Sequence, residues 1–163
     1  MSATEALAAQ VLAAARAAGL RIATAESCTG GLVAGALTDI PGSSDVVERG
    51  FVTYSNAAKR EMLGVRAATL DAVGAVSEEV AREMAEGALT HSQAQLAVSI
   101  TGIAGPGGSE FKPEGRVCFA IASKTGKTLS ETIEFGAIGR QNVRAASVQH
   151  ALSLLLTAAG RFA

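Results

Sequence analysis

Residues 20–31 read Leu-Arg-Ile-Ala-Thr-Ala-Glu-Ser-Cys-Thr-Gly-Gly (LRIATAESCTGG), and the parsing of this stretch decides the fold. Ile22 is β-branched, Thr24 stands between alanines, and the run up to Glu26 predicts a short buried strand. Two glycines then open GGLVAGALTDI, a helical pattern that stops at the turn dipeptide Pro41-Gly42. A strand that passes through a glycine turn directly into a helix is the unit of an α/β sheet.

The pattern repeats outward from there. Upstream, the alanine-rich residues 4–18 with sparse charges predict a first helix, and Gly19 offers its stop. Downstream, RGFVTYS at 49–55 alternates like a strand, and NAAKREML and RAATLDAV read as two helical pieces. Ser77 then caps a long helix to about His91. QLAVSIT, RVCFAIAS and TLSETIEF are strands three to five, the last two joined by a hairpin at Lys124–Lys127. A final helix is expected from about Gly139 to Ala159, with Val148, Leu152, Leu155 and Ala159 on one face. The expectation is a single domain over 1–163, a three-layer α/β/α sandwich around a mixed, mostly parallel five-stranded sheet.

Composition removes several function classes. The 163 residues carry a net charge of −1, five phenylalanines, one tyrosine and no tryptophan. Neither a basic stripe nor a stacking platform for nucleic acid is evident. Hydrophobic residues reach 48%, yet no run of 18 apolar residues and no leader segment is present, so a cytoplasmic protein off the membrane is expected. Cys28, Cys118, His91 and His150 show no metal-ligand spacing, and no metal or cofactor is expected.

In open α/β sheets ligands bind beyond the carboxyl ends of strands, and three such loops carry chemistry: 26–31, 54–59 and 102–113. The first is not a P-loop. Gly30 and Gly35 have its outer spacing, but Ala36 and Leu37 stand where lysine and serine or threonine are required. No G-x-G-x-x-G follows a strand. Tyr54 and Lys59 are five apart rather than four, against the paired face of a short-chain dehydrogenase. What remains is Ser27 at a strand-to-helix turn and Lys59 on the next helix but one.

A serine attacks a carbonyl only when a base takes its proton and donors meet the developing oxyanion. Backbone N–H groups around Cys28, Thr29, Gly30 and Gly31 are the candidate donors, and Lys59 is the candidate base, since neither histidine lies in these loops. A lysine of ordinary pKa, about 10.4, is neutral in only about one molecule in 2,500 at pH 7, so a base lysine requires a desolvated or positively charged setting. Each residue has a plainer reading beside the chemical one. Ser27 or Thr29 caps a helix, Cys28 fills space, Lys59 is a solvated helix charge, Tyr54 is a strand aromatic, and Gly102–Gly108 is a flexible connection.

TAESCTGG, GSS, RGFVTYSNAAK, GAVSEEV, SITGIAGPGGSEFKPEG and FGAIGRQNVR, in this order along nearly the whole chain, resemble the C-terminal domain of the CinA (competence/damage-inducible) family. The resemblance implies an anticodon-binding-domain-like sandwich and a homodimer, while the near-neutral charge and scarce aromatics argue against a direct nucleic-acid partner. The resemblance also implies the amidase activity of stand-alone members, which hydrolyse the carboxamide of nicotinamide mononucleotide to nicotinate mononucleotide and ammonia; the alternative is a non-catalytic protein-binding module linked to competence or the DNA damage response. The family serine falls on Ser27 and its lysine on Lys59, with Tyr54 relaying a proton or orienting the lysine. The larger family's N-terminal domain, and activities assigned to it, are not carried over. Substrate contacts are expected at Gly102 and Gly105. Arg140 and Arg144, four residues apart at the start of the last helix, are expected on the phosphate, with Lys112 as their alternative. Two departures touch these loops. Pro106-Gly107-Gly108 lacks the acidic residue of the family's P-D-G-G, and Ile138-Gly139-Arg140 stands in place of G-D-R.

Overall fold

The computed structural model describes residues 1–109 and 111–162, so Glu110 of the third loop and Ala163 at the end of the expected domain lie outside the described residues. The elements run α1 (Ala3–Ala18), β1 (Ile22–Glu26), α2 (Leu32–Thr38), β2 (Val47–Val52), α3 (Asn56–Leu63), α4 (Ala67–Val73), α5 (Glu78–Thr90), β3 (Leu96–Gly102), β4 (Arg116–Ser123), β5 (Leu129–Glu134) and α6 (Arg140–Gly160), with one 3-10 turn at Ser43–Asp45. Local chemistry sets their ends. Gly19, in the left-handed region at φ 68°, lets the last carbonyls of α1 find N–H partners, including Ala15 O with Leu20 N at 2.9 Å. Ser77 Oγ accepts from Val80 N at 3.2 Å and caps α5 as expected.

The strands lie in the order β2-β1-β3-β4-β5. β1 pairs in parallel with β2 and β3, whereas β4 is antiparallel to both β3 and β5. β5 therefore returns to the direction of the first three strands, and four of the five point one way. The chain leaves β1 for β2 on one side and comes back to β3 on the other. That reversal opens a crevice beyond the carboxyl ends of β1 and β3.

The period of two divides the core. Leu96, Val98 and Ile100 of β3 and Val117, Phe119 and Ile121 of β4 face α1, α2 and α6. Ala97 of β3 and Cys118, Ala120 and Ala122 of β4 face α3, α4 and α5. Small side chains on this second face admit α5 closely, and its polar members are satisfied: Ser99 Oγ donates to Ala81 O at 2.6 Å and Thr101 Oγ1 to Ala75 O at 2.9 Å. Where α5 meets the end of α3, a Cβ on Gly87 would stand 1.9 Å from Leu63 O, so only glycine fits. The packing fixes α3, and with it the residues near its start. β2 begins earlier than the alternation predicted and ends at Val52, which leaves Tyr54 in a loop and 61% exposed rather than in a strand.

Candidate active site

Ser27 is the first residue beyond β1, and its N–H continues the ladder by donating to Ile100 O of β3 at 2.9 Å. On the other side, Thr53 N–H donates to Glu26 O at 2.8 Å, which aligns the end of β2 with the end of β1. Ser55 then caps α3, its Oγ accepting from Ala58 N at 3.0 Å. Lys59 lies one turn into that helix and turns back under the strand ends. Its Nζ donates to Ser27 Oγ at 2.9 Å and to Thr53 O at 3.0 Å. At 2% exposure it is among the largest buried side chains in the chain, and Ser27 is 8% exposed. The solvated-lysine reading is thereby excluded, and two residues 32 positions apart share one hydrogen bond.

The helix-cap reading of Ser27 and Thr29 fails for a specific reason. The cap of α2 is Gly31, at φ 106°, and no side chain at that position bonds to the helix. The first-turn donors go instead to the carboxylate of Glu26, fully buried at the end of β1: Val33 N–H reaches Oε1 at 2.9 Å and Ala34 N–H reaches Oε2 at 3.0 Å. Thr29 Oγ1 donates to Oε1 at 2.6 Å. Ser27 is left with its hydroxyl on Lys59. Gly30 N–H is used within the turn, on Ser27 O at 3.0 Å. Among the described residues the N–H groups of Cys28, Thr29 and Gly31 meet no protein acceptor.

Cys28 is a filler in this geometry. It is 6% exposed, and burial pushes its thiol from 9.0 up to about 11. A neutral thiol at physiological pH is a poor competitor for the neighbouring serine.

A cleft of about 320 Å³ opens on the pair and is lined by Ser27, Cys28, Tyr54, Lys59, Thr101, the 102–109 segment and Arg140. Its far wall needs its glycines. A Cβ on Gly102 would meet Val117 at 2.7 Å, and one on Gly105 would meet Glu114 at 2.7 Å. The same wall is tied down at several points, with Gly107 N–H on Glu114 Oε1 at 2.8 Å and Arg140 Nη1 on Gly105 O at 2.7 Å. Arg140 Nη2 also donates to Tyr54 Oη at 2.8 Å, which closes a bridge across the rim. Tyr54, expected to relay a proton or orient the lysine, thus stands as a rim residue held by Arg140. Among the described residues no group of three His, Cys, Asp or Glu side chains could hold a metal ion.

Two cations expected at the substrate lie elsewhere. Lys112 is not a lining residue; its Nζ donates to Val73 O at 2.5 Å and, from behind the cleft wall, to Val76 O at 2.7 Å. Arg144 is not a lining residue either; its Nε donates to Cys28 O at 3.1 Å and its Nη2 to Thr29 O at 3.4 Å. The helical spacing of Arg140 and Arg144 is real, but the second arginine is engaged by backbone carbonyls before a ligand reaches it.

A family model described as the CinA C-terminal domain matches residues 4–159. The chain belongs to this family. The nicotinamide-nucleotide amidohydrolase PncC of Enterobacter agglomerans is 51% identical over 157 residues, which cover 96% of this chain and 93% of that protein. A CinA-like protein of Chlorobium phaeobacteroides (strain BS1) is 65% identical over 105 residues; these are 64% of this chain and 25% of that protein, so the match spans a quarter of its length. The crystal structure of the competence/damage inducible protein CihA from Agrobacterium tumefaciens matches with a TM-score of 0.93 at 51% identity, over 96% of each chain. The sandwich expected of a CinA domain is therefore the fold of this chain.

Two contributors to this CinA site escaped the motif reading. Glu26 stands inside the quoted TAESCTGG but has no side-chain role by spacing rules, because its two backbone partners belong to a helix that starts six residues later. Thr53 acts through its carbonyl, which any residue supplies. A buried carboxylate between a strand and a glycine turn is the one local sign that the sequence offered for the first.

Proposed function

We propose that this chain is a nicotinamide-nucleotide amidase, an amidohydrolase that converts nicotinamide mononucleotide and water to nicotinate mononucleotide and ammonia through a Ser27 acyl-enzyme. The observation that carries the mechanism is the 2.9 Å contact between Lys59 Nζ and Ser27 Oγ in a buried setting. The mechanism uses Nζ as the neutral amine, toward which the serine O–H donates as it attacks.

As Oγ bonds to the carboxamide carbon, its proton passes to Nζ and the carbonyl oxygen becomes an oxyanion. The N–H groups of Cys28 and Thr29, which have no protein acceptor, supply the positive ends that this oxyanion needs. When the C–N bond breaks, Nζ returns its proton to the leaving amide nitrogen and ammonia departs. Water then attacks the ester and loses a proton to Nζ. The bond from carbon to Oγ breaks, and Ser27 recovers the proton. Thr53 O holds the amine in place through both halves. Arg140 and Tyr54, at the rim, are the groups placed to meet the nucleotide portion.

The same reading makes the protein a single-domain cytoplasmic homodimer that works on a small nucleotide and binds no nucleic acid. The net charge of −1 supports the last point; the two free cysteines fit a reducing compartment; the family resemblance supports the dimer. The deciding experiment incubates the protein with nicotinamide mononucleotide and measures ammonia and nicotinate mononucleotide. Turnover by wild type, lost in a folded Ser27→Ala variant and retained in Cys28→Ala, supports the reading. Turnover retained by Ser27→Ala overturns it.

A further inference from the structure

The placement of Arg144 suggests a part in the reaction different from a phosphate contact. It lies in the second turn of α6 and is half-buried. Among the described residues it has no carboxylate partner; its guanidinium forks onto two successive carbonyls, Cys28 O and Thr29 O. The next residue, Gly30, adopts φ 57°, and a Cβ there would come within 3.4 Å of Arg144 Nη2, so the turn leaves room for the guanidinium.

In a planar trans peptide the C=O and N–H point in opposite directions. A Cys28 carbonyl drawn out to Arg144 therefore sends Thr29 N–H the other way. In the preceding peptide, Ser27 O is held by Gly30 N–H at 3.0 Å, which directs Cys28 N–H away from the turn. These are two consecutive donors without a protein acceptor, and the first belongs to a residue that lines the cleft beside Ser27. The hydrogen bonds from a charged guanidinium are stronger than neutral ones, and they polarise the peptides whose other ends are these N–H groups.

We propose that Arg144 is a positioning residue for amide hydrolysis, holding the 28–30 peptides from behind so that the N–H groups of Cys28 and Thr29 are preset for the oxyanion. This rests on the amidase reading above and assigns the arginine to the transition state rather than to the phosphate. Lysine does not reproduce it, because a compact ammonium on a flexible stem lacks the planar, rigid fork whose separate nitrogens meet Cys28 O and Thr29 O.

The test compares wild type, Arg144→Ala and Arg144→Lys on nicotinamide mononucleotide and on its dephosphorylated riboside, with binding of nicotinate mononucleotide as the check that the cleft is intact. Misplaced catalytic donors lower kcat by on the order of 100-fold. That loss is expected in both variants and on both substrates, with KM and product affinity changed less than about threefold, the pattern of an interaction made only in the transition state. Added guanidinium ion is expected to restore part of the turnover of Arg144→Ala, which a variant that merely folds poorly does not allow. A raised KM confined to the phosphorylated substrate, or turnover within about threefold of wild type, overturns the proposal while leaving the amidase reading intact. If wild type itself releases no ammonia, the amidase reading fails first.

Discussion

Replacing Glu26 with glutamine isolates what the buried carboxylate does for the turn that carries Ser27. In the native chain Oε1 accepts from Thr29 Oγ1 at 2.6 Å and Val33 N–H at 2.9 Å, and Oε2 accepts from Ala34 N–H at 3.0 Å. A glutamine of the same shape keeps its oxygen on the first two donors and turns an NH2 group toward the third. One backbone donor at the start of α2 then loses its acceptor, at about 1–3 kcal/mol. The favourable meeting of a negative charge with the positive helix end is lost as well, at about 0.3–1 kcal/mol. The sum is about 1.3–4 kcal/mol, a large part of the stability of a domain of this size. Urea unfolding of both proteins at one pH, followed by circular dichroism, gives the difference, provided that the slope is unchanged. Thr29→Val, which removes a single donor from Oε1, serves as the smaller companion at about 1 kcal/mol. A Glu26→Gln protein within about 0.5 kcal/mol of wild type refutes the assignment, because the carboxylate would then be indifferent to its three partners.

Three further outcomes are expected. Lys59→Arg should be nearly as inactive as Lys59→Ala in the ammonia assay, since a guanidinium keeps its proton at neutral pH; substantial turnover in the arginine variant removes Lys59 from the role of base. The Cys28 thiol, held up at about 11 by burial, should resist alkylation at pH 8 in the native protein. Because its folded value exceeds the unfolded one, the stability it confers is complete below pH 9 and is lost as pH rises toward 11; rapid labelling of Cys28 at pH 8 contradicts this. Gly87→Ala should destabilise by about 2–3 kcal/mol through overpacking against Leu63 O, and should lower turnover too, because α3 carries Lys59. An unchanged melting temperature speaks against so close an approach.

Periodic segments were legible in the sequence because their signals are local. The NAAKREML and RVCFAIAS runs coincide with α3 and β4, and Ser77 caps α5 as its position predicts. The strand predicted over 49–55 stopped short, since alternation continues through Thr53 and Tyr54 although Thr53 N–H already turns to Glu26 O. The pairing of Ser27 with Lys59, now seen as a 2.9 Å contact, followed from loop placement and residue type together with the family motifs. The support around them did not. Glu26 caps a helix from the preceding strand, where rules for a single cap position do not look. Arg144 finds its carbonyls 116 and 115 residues away, and Lys112 finds its own 39 and 36 residues away. A cation on the sequence carries no mark that separates a ligand site from a backbone clamp, and here the clamp won twice.

The wall of the cleft between Ile103 and Gly115 is fastened at several places: Lys112 on the carbonyls of Val73 and Val76, Glu114 on Gly107 N–H, and Arg140 on Gly105 O. Each fastening uses a charged group; Lys112 and Arg140 tie the loop to neighbouring elements, and Glu114 braces it internally. A wall so anchored is expected to stay in place as a ligand enters. Encounter is then governed by diffusion and orientation, with no slow opening step ahead of it. In rapid mixing, the observed binding rate should climb in proportion to ligand concentration instead of levelling at a gating rate.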